Sequence, residues 1–351
     1  MMRTYLDHNA TAPLRREARD AMIAAMDVVG NPSSVHGEGR KAKAVVETAR
    51  ADIASAFGAD GADVIFTSSA TEAAALAMRG RDLHAGDIEH DAVGAWVTAD
   101  LDVDLNGCVT VLDPKQTTLQ AANSETGVVQ TLPEGLAVSD MTQAFGKLPV
   151  AFNWSGATMA LISAHKLGGP KGIGALVVKR GTDVAAQLLG GGQEMGRRAG
   201  TENVIGAAGF AAAATAAAQD LSDGVWERVA QLRDLLEERL QTDAKDSVII
   251  GQAATRLPNT TCLATPGWKG ETQVMQMDLA GYAISAGSAC SSGKVRASRV
   301  LKAMGYDDAT AAGAIRISLG PETQEQDVLG FADKWLTQMR KHHVRAARAT
   351  A

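Results

Sequence analysis

The sequence predicts an α/β protein with one larger and one smaller domain. Three observations predict it. Short β-rich runs alternate with helical patterns along the whole chain, the arrangement that puts helices over a sheet. Several runs give way at once to Gly or polar residues, as strands do where an open α/β sheet keeps its ligands, at their carboxyl ends. At 351 residues the chain also exceeds the usual size of a single domain and has ample core without staples.

In chain order, runs rich in Val, Ile, Leu and Thr predict strands at DVIFTS (63–68), GAWVTADL (94–101), TTLQAAN (117–123), LAVSD (136–140), MALISA (159–164) and IGALVVK (173–179). Ala, the best helix former, dominates the stretch from about Val204 to Leu240, which predicts one long helix. A second strand cluster follows, SVIIGQ, NTTCLAT, AISAGSA and AIRISLG, and TQEQDVLGFADKWLTQMRK closes the chain as a helix. The domain boundary is expected near residue 240, with 15–240 as the large domain and 1–14 plus 241–351 as the small one.

Composition narrows the function. A formal charge of −6, from 34 basic and 40 acidic residues, and 4% aromatics argue against nucleic acid as a direct ligand. Only the end, MRKHHVRAARATA, is locally basic, which suits the end of a solvated helix or a docking tail for an acidic protein. Three cysteines without paired spacing give neither a disulfide framework nor a zinc site, and no other metal site is expected. The opening MMRTYLDHNATAP has no basic region followed by an apolar run, and the uncharged run from Asn203 to Gln219 is mostly Ala and Gly. The expectation is a cytoplasmic protein with no membrane span.

The strongest chemical signal is MALISAHKLGGPKGIGALVVKR, residues 159–180. Lys166 stands at the end of an apolar strand beside a glycine turn that lets a ligand approach closely, as Schiff-base chemistry requires. SSATEA (68–73) places Ser and Thr between strand and helix, where backbone N–H groups suit a phosphate, or where Thr71 caps the helix. Asp140 ends a strand, with Gln143 three residues on; the carboxylate suits a protonated pyridine nitrogen and the amide a ring oxygen. His90 suits stacking on an aromatic ring and proton transfer. Cys290 sits among Ser, Ala and Gly in AISAGSACSSGK (283–294), residues too small to bury it.

In order, YLDHNATAP, NPSSVHGEGR, SSATEA, EHDAV, NSETGVVQ, SDMTQAFGKLP, SAHKLGGPKGIGAL, RRAGTEN, GSACSSG and IRISLG resemble the cysteine desulfurases of the class V aminotransferase group. These are pyridoxal 5′-phosphate enzymes of fold type I. The resemblance runs from Tyr5 to about Asp327, and the loop around Cys290 is similar to that of the long-loop branch. It implies a large domain with a mostly parallel central sheet and a smaller α/β C-terminal domain carrying the cysteine loop. It implies that Lys166 carries the cofactor, that His90 stacks on the ring and that Asp140 and Gln143 hold it. Ala70, Thr71, Ser163 and His165 then form the phosphate cup. Thr201 reaches the phosphate of a neighbouring subunit, which makes a homodimer. Arg316, with its bidentate fork, and Asn9 bind the substrate. Cys290 is the implied nucleophile: it takes sulfur from L-cysteine, releases L-alanine and passes its persulfide to an acceptor or scaffold protein for iron–sulfur cluster assembly or thiolation. A free thiol with pKa ~8.5 needs help to ionise, and His90 is the implied helper.

Two features depart from the family pattern. Where the family commonly shows two asparagines, this chain has Asn123 and Ser124, and Ser124 offers the cofactor a shorter side chain with one hydroxyl. Between His90 and Asn123, and between Gln130 and Asp140, the chain is shorter by about a helix each, taking ~11 to 12 residues as the mean helix. We read these as peripheral helices trimmed from the large domain. Two other readings stay open on the residues: a related lyase or transaminase, such as a selenocysteine lyase, and a catalytically weak scaffold subunit that needs a partner.

Overall fold

The structure, a computed structural model, describes residues 3–287 and 297–349. Its central sheet runs in the order Asp63–Thr67, Gly174–Val178, Ala157–Ser163, Leu136–Asp140. Gly174–Val178 is antiparallel to both neighbours, and Leu136–Asp140 is parallel to Ala157–Ser163. Parallel bridges Thr118↔Val138 and His84↔Thr117 carry the order on to His84–Gly86 and its parallel neighbour Thr98–Leu101. The sheet is therefore parallel apart from one strand, as expected for fold type I. The antiparallel strand is the one that returns directly after the lysine turn, where no crossover helix intervenes.

The strands are apolar on both sides because both faces are covered. One face packs Val64, Phe66, Ile162 and Val177 with Phe57, Phe145 and Phe152 and with Phe210 of the Ala-rich helix. The other packs Ile65, Leu161 and Leu176 against the helix Ala70–Met78. Each fully buried side chain of this size contributes roughly 1.5–3 kcal/mol. The helix Val204–Ser222 is long and apolar enough to cross a membrane by length and composition alone. Here it packs against Arg16–Met26 and Gly37–Ala56, with Phe210, Ala213, Ala214 and Ala217 buried.

A second sheet follows, antiparallel throughout, in the order Ser285–Ala286, Ala314–Ser318, Thr260–Ala264, Val248–Ile249. Thr4–Tyr5 pairs in parallel with Tyr282–Ala283, so the chain's beginning is tied to its C-terminal third. Leu6 shares a core there with Trp268, Phe331 and Trp335, and with Trp226, Val229, Leu236 and Leu240 of the helix Val225–Asp243.

Four local expectations are corrected. The long helix 204–240 is two helices, Val204–Ser222 and Val225–Asp243, broken at Gly224, whose φ of 71° is left-handed and open to glycine at little cost. The strand 94–101 is only Thr98–Leu101, because His90 caps a short helix, Asp91–Gly94. The strand 117–123 survives as bridges at Thr117, Thr118 and Ala122, since the Gln120 N–H leaves the ladder for the Glu89 carboxyl. The cap of the helix Ala70–Met78 is Ser69, not Thr71: Ser69 Oγ accepts from Glu72 N at 3.3 Å.

Candidate active site

The carboxyl ends of the parallel strands open on a cavity of about 450 Å³. Nearly all the described candidate residues line it: Asn9, Ala70, Thr71, His90 and Ser124 from loops and helix starts, then Asp140, Gln143, Ser163, His165, Lys166 and Arg316. Asp7, Ser69, Gln120, Thr142 and Ser285 are among the other residues of the wall.

Lys166 ends a single 3₁₀ turn, Ala164–Lys166, that stops the strand at Ser163. Its Nζ donates to the carbonyls of Asn9 and Ala10 at 2.7 and 3.0 Å. His165 Nδ1 lies 3.2 Å from Thr11 Oγ1, and burial, with Lys166, Lys171 and Lys147 nearby, lowers its pKa to about 4. It is neutral near pH 7.

Asp140 ends its strand and accepts the Thr142 N–H at 2.9 Å. Gln143, on the turn that follows, donates Nε2 to the Asn9 carbonyl at 3.0 Å. His90 Nδ1 accepts the Ala92 N–H at 3.1 Å, which leaves Nε2 as the proton-carrying nitrogen of the neutral ring. Arg316 is 4% exposed. One of its terminal nitrogens holds Asp7 Oδ1 at 2.8 Å and the other the Ser124 carbonyl at 3.1 Å. Ser285 Oγ donates to Asp7 Oδ2 at 2.8 Å. Ser124 therefore serves its neighbours through its carbonyl, which also receives Asn9 Nδ2 at 3.1 Å.

The site fits pyridoxal phosphate on three observations. The nine-residue helix Ala70–Met78 turns its first N–H groups and the positive end of its dipole to the cavity, as a phosphate requires. Gly174 underlies that turn so closely that a Cβ there would stand 2.8 Å from Ser69 C and 2.9 Å from Ala70 N. A carboxylate, an amide and an amine face the same space from Asp140, Gln143 and Lys166. These are the donors and acceptors that a pyridine nitrogen, a ring oxygen and an aldehyde carbon need. No group of three or more metal-ligating side chains occurs among the described residues.

One described candidate, Thr201, is not in this cavity, and one candidate is not described. Cys290 lies outside the described residues. Thr201 is exposed and lines a separate surface depression with Leu189, Gly191 and Gln193. The loop before it is anchored by Glu194, whose φ of 48° is held by two bonds from Arg50, at 2.7 and 3.1 Å, and one from Phe66 N at 2.9 Å.

Sequence reasoning missed three residues. Asp7 holds Arg316 from the far end of the chain, and its signal, a lone Asp in YLDHNATAP, has no pattern of its own. Lys147 looks like a surface lysine after FG but is buried behind Gln143. Glu89 is 1% exposed, and burial pushes its carboxyl up to about 8.

Comparison with known proteins agrees with this geometry. The sequence pattern of the family described as Aminotransferase class-V matches residues 4–93 and 95–331. The cysteine desulfurase of a Frankia species is 39% identical over 379 aligned positions, covering 94% of this chain and 89% of the relative. The cysteine desulfurase IscS of Dictyoglomus turgidum is 35% identical over 361 positions, covering 92% and 91%. Both alignments are longer than this chain, so both relatives carry stretches without a counterpart here. The solved structure of a NifS-like protein from Rickettsia africae superposes with a TM-score of 0.86 at 30% identity, covering 95% of this chain and 98% of that one. By a family match over most of its length and a site that fits the cofactor, the protein belongs to the class V aminotransferase family, and its cofactor is pyridoxal phosphate.

Proposed function

We propose that the protein is a cysteine desulfurase, which takes sulfur from L-cysteine, releases L-alanine and holds the sulfur as a persulfide on Cys290. The observation that carries this reading is the convergence of Lys166, His90, Asp140, Gln143 and Arg316 on one cavity. When bound, the cofactor supplies an electron sink for bonds broken at the substrate carbons.

The chain's own residues do the rest. Lys166 would hold the cofactor at its aldehyde carbon and, once released, would take the Cα proton. Asp140 would hold the pyridine nitrogen and Gln143 the ring oxygen. The Arg316 fork, braced by Asp7, would hold the substrate carboxylate and so orient Cα. The Cys290 thiolate bonds to the substrate sulfur as the Cβ–S bond breaks; that bond's electron pair stays with the carbon, which a proton then joins. For His90 to take the thiol proton, its Nδ1 cap bond to Ala92 must open; the imidazolium so formed then returns a proton to the product carbon.

The persulfide is passed to an acceptor or scaffold protein for iron–sulfur cluster assembly or thiolation, in the cytoplasm. The exposed position of Thr201, away from the chain's own cavity, supports a homodimer in which it reaches the partner's phosphate. The test is to load the purified protein with pyridoxal phosphate, add L-cysteine with a thiol reductant, and measure alanine and sulfide. Equimolar alanine and sulfide are expected. Sulfide with pyruvate and ammonia in place of alanine would overturn the reading in favour of a lyase.

A further inference from the structure

Lys147 is 3% exposed and has no acidic partner among the described residues. Its Nζ donates to Gln143 Oε1 at 2.6 Å and to Asn9 Oδ1 at 3.0 Å, both neutral amide oxygens. The charges that act on it, Lys166 and Arg316, have its own sign, and burial together with those two cations holds its pKa well below the ordinary lysine value. An ammonium buried without a carboxylate is costly, and a core built for stability alone would be served better by an apolar side chain.

What the amine does follows from its two bonds. An amide side chain accepts at one end and donates at the other. Lys147 is a donor to both amides, charged or neutral, since even the neutral amine has two N–H groups. With Oε1 of Gln143 turned to Lys147, Nε2 faces the other way, to the Asn9 carbonyl at 3.0 Å. Lys166 Nζ donates to that same carbonyl at 2.7 Å, so the amide N–H and the cofactor-binding amine converge on one point. Asn9 is fixed likewise: Oδ1 receives Lys147 and Asn259 Nδ2, the latter at 3.1 Å, so its own Nδ2 donates to the Ser124 carbonyl and Thr260 Oγ1.

We propose that Lys147 is a positioning residue that fixes which end of Gln143 faces the cofactor, so that the ring oxygen meets an N–H donor beside Lys166. Without Lys147 the amide is able to turn over, put its oxygen beside the Lys166 amine and oppose the ring oxygen with a second acceptor. The inference rests on the reading of Gln143 and Lys166 as cofactor ligands. It adds the group that sets their polarity.

The test is a double-mutant cycle on apoprotein. Wild type, Lys147→Met, Gln143→Ala and the double variant are titrated with pyridoxal phosphate, binding is read by absorbance, and the thermal midpoint of each apo form is recorded. Met approximates the length and volume of Lys without its donors. Lys147→Met is expected to weaken binding about tenfold, the loss of one well-placed hydrogen bond, with no fall in the apo midpoint. The double variant is expected to bind no more weakly than Gln143→Ala alone, because Lys147 acts through Gln143. Should Lys147→Met not fold, Lys147→Arg, which keeps donors at a position bordering a cavity of about 150 Å³, takes its place and is expected to bind within about threefold of wild type. Full additivity of the two losses, or Lys147→Met binding as wild type does, overturns the inference while the function stands. A wild type that takes up no cofactor overturns both.

Discussion

Replacing Glu89 by Gln should make the protein more stable at neutral and alkaline pH, by an amount that grows with pH. Glu89 Oε1 accepts the Gln120 N–H at 2.7 Å, and Oε2 has no partner among the described residues. Burial pushes the carboxyl from 4.5 up to about 8; the Gln120 bond and Arg299 pull it down, and the Asp140 charge adds to the rise. Between those two values the folded state holds a proton that the unfolded chain has released. The stability this group contributes is therefore complete below about 4.5 and is lost as pH rises through about 8. The loss is about 1.4 kcal/mol per pH unit, of the order of 5 kcal/mol across the window. Gln keeps the shape and the acceptor for Gln120 but binds no proton. Urea denaturation of wild type and Glu89→Gln in parallel, from pH 5.5 to 9, gives a difference in which the other groups cancel. That difference should rise with a slope near one proton and level off above pH 8. A flat difference between pH 5.5 and 8 would mean that Glu89 is ionised in the folded protein and that the argument from burial is wrong. The proton has a use at the site as well, since it spares Asp140 a second negative charge behind it.

Four further outcomes are expected. Gly174→Ala places a Cβ 2.7 Å from the Ile162 carbonyl and under 3 Å from Ser69 and Ala70 backbone atoms, none of which yields easily, so the helix start moves. Pyridoxal phosphate should bind at least about tenfold more weakly, the worth of one charge-assisted hydrogen bond, and unchanged binding would remove the phosphate from that turn. Arg316→Lys keeps the charge but not the fork, and should raise KM for L-cysteine by roughly tenfold with cofactor binding intact; equal loss of cofactor binding would show that the arginine is not a substrate ligand. His8 and His165, both lowered to about 4 chiefly by burial, stay neutral in the folded protein while the unfolded chain takes up protons below about 6.5. Stability should therefore fall as pH drops from 6.5 toward 4, and less steeply in His8→Asn, whose profile would match wild type if the burial argument failed. Cys290→Ser should bind cofactor normally and make almost no persulfide by mass spectrometry, and normal sulfide output would place the nucleophile elsewhere.

What the sequence made legible were the features with a period or an order. Strands such as Leu136–Asp140 and Gly174–Val178 lie within a residue of their expected bounds, because apolar runs closed by Gly or polar residues carry their own ends. The candidate residues that line the cavity were legible as ordered motifs, most of them adjoining a strand end or a helix start. The break at Gly224 was written in the chain as Asp-Gly, but the Ala-rich pattern before it and the continuing helical pattern after it hid it. The irregular strand at 117–123 could not be foreseen, because its cause is a side chain 31 residues away. Lys147 and Glu89 were hidden for one reason: a charged residue in a sequence reads as surface, and only the fold shows it walled in.

The cavity is closed on one side by a segment near the start of the chain, Asp7 and its neighbours. Asp7 bridges to Ser318 in the C-terminal sheet and holds Arg316, and Asn9 N donates to Ser318 Oγ at 3.0 Å. Immediately afterwards the same segment crosses to the lysine turn. The Asn9 and Ala10 carbonyls take Lys166, the Ala12 N–H reaches the His165 carbonyl at 2.9 Å, and the Arg15 N–H reaches Gly168 at 2.8 Å. Nine residues, Asp7 to Arg15, thus connect Arg316 with the turn that carries Lys166. The spacing between Arg316 in the second sheet and Lys166 is therefore set by that segment as well as by the two sheets it joins.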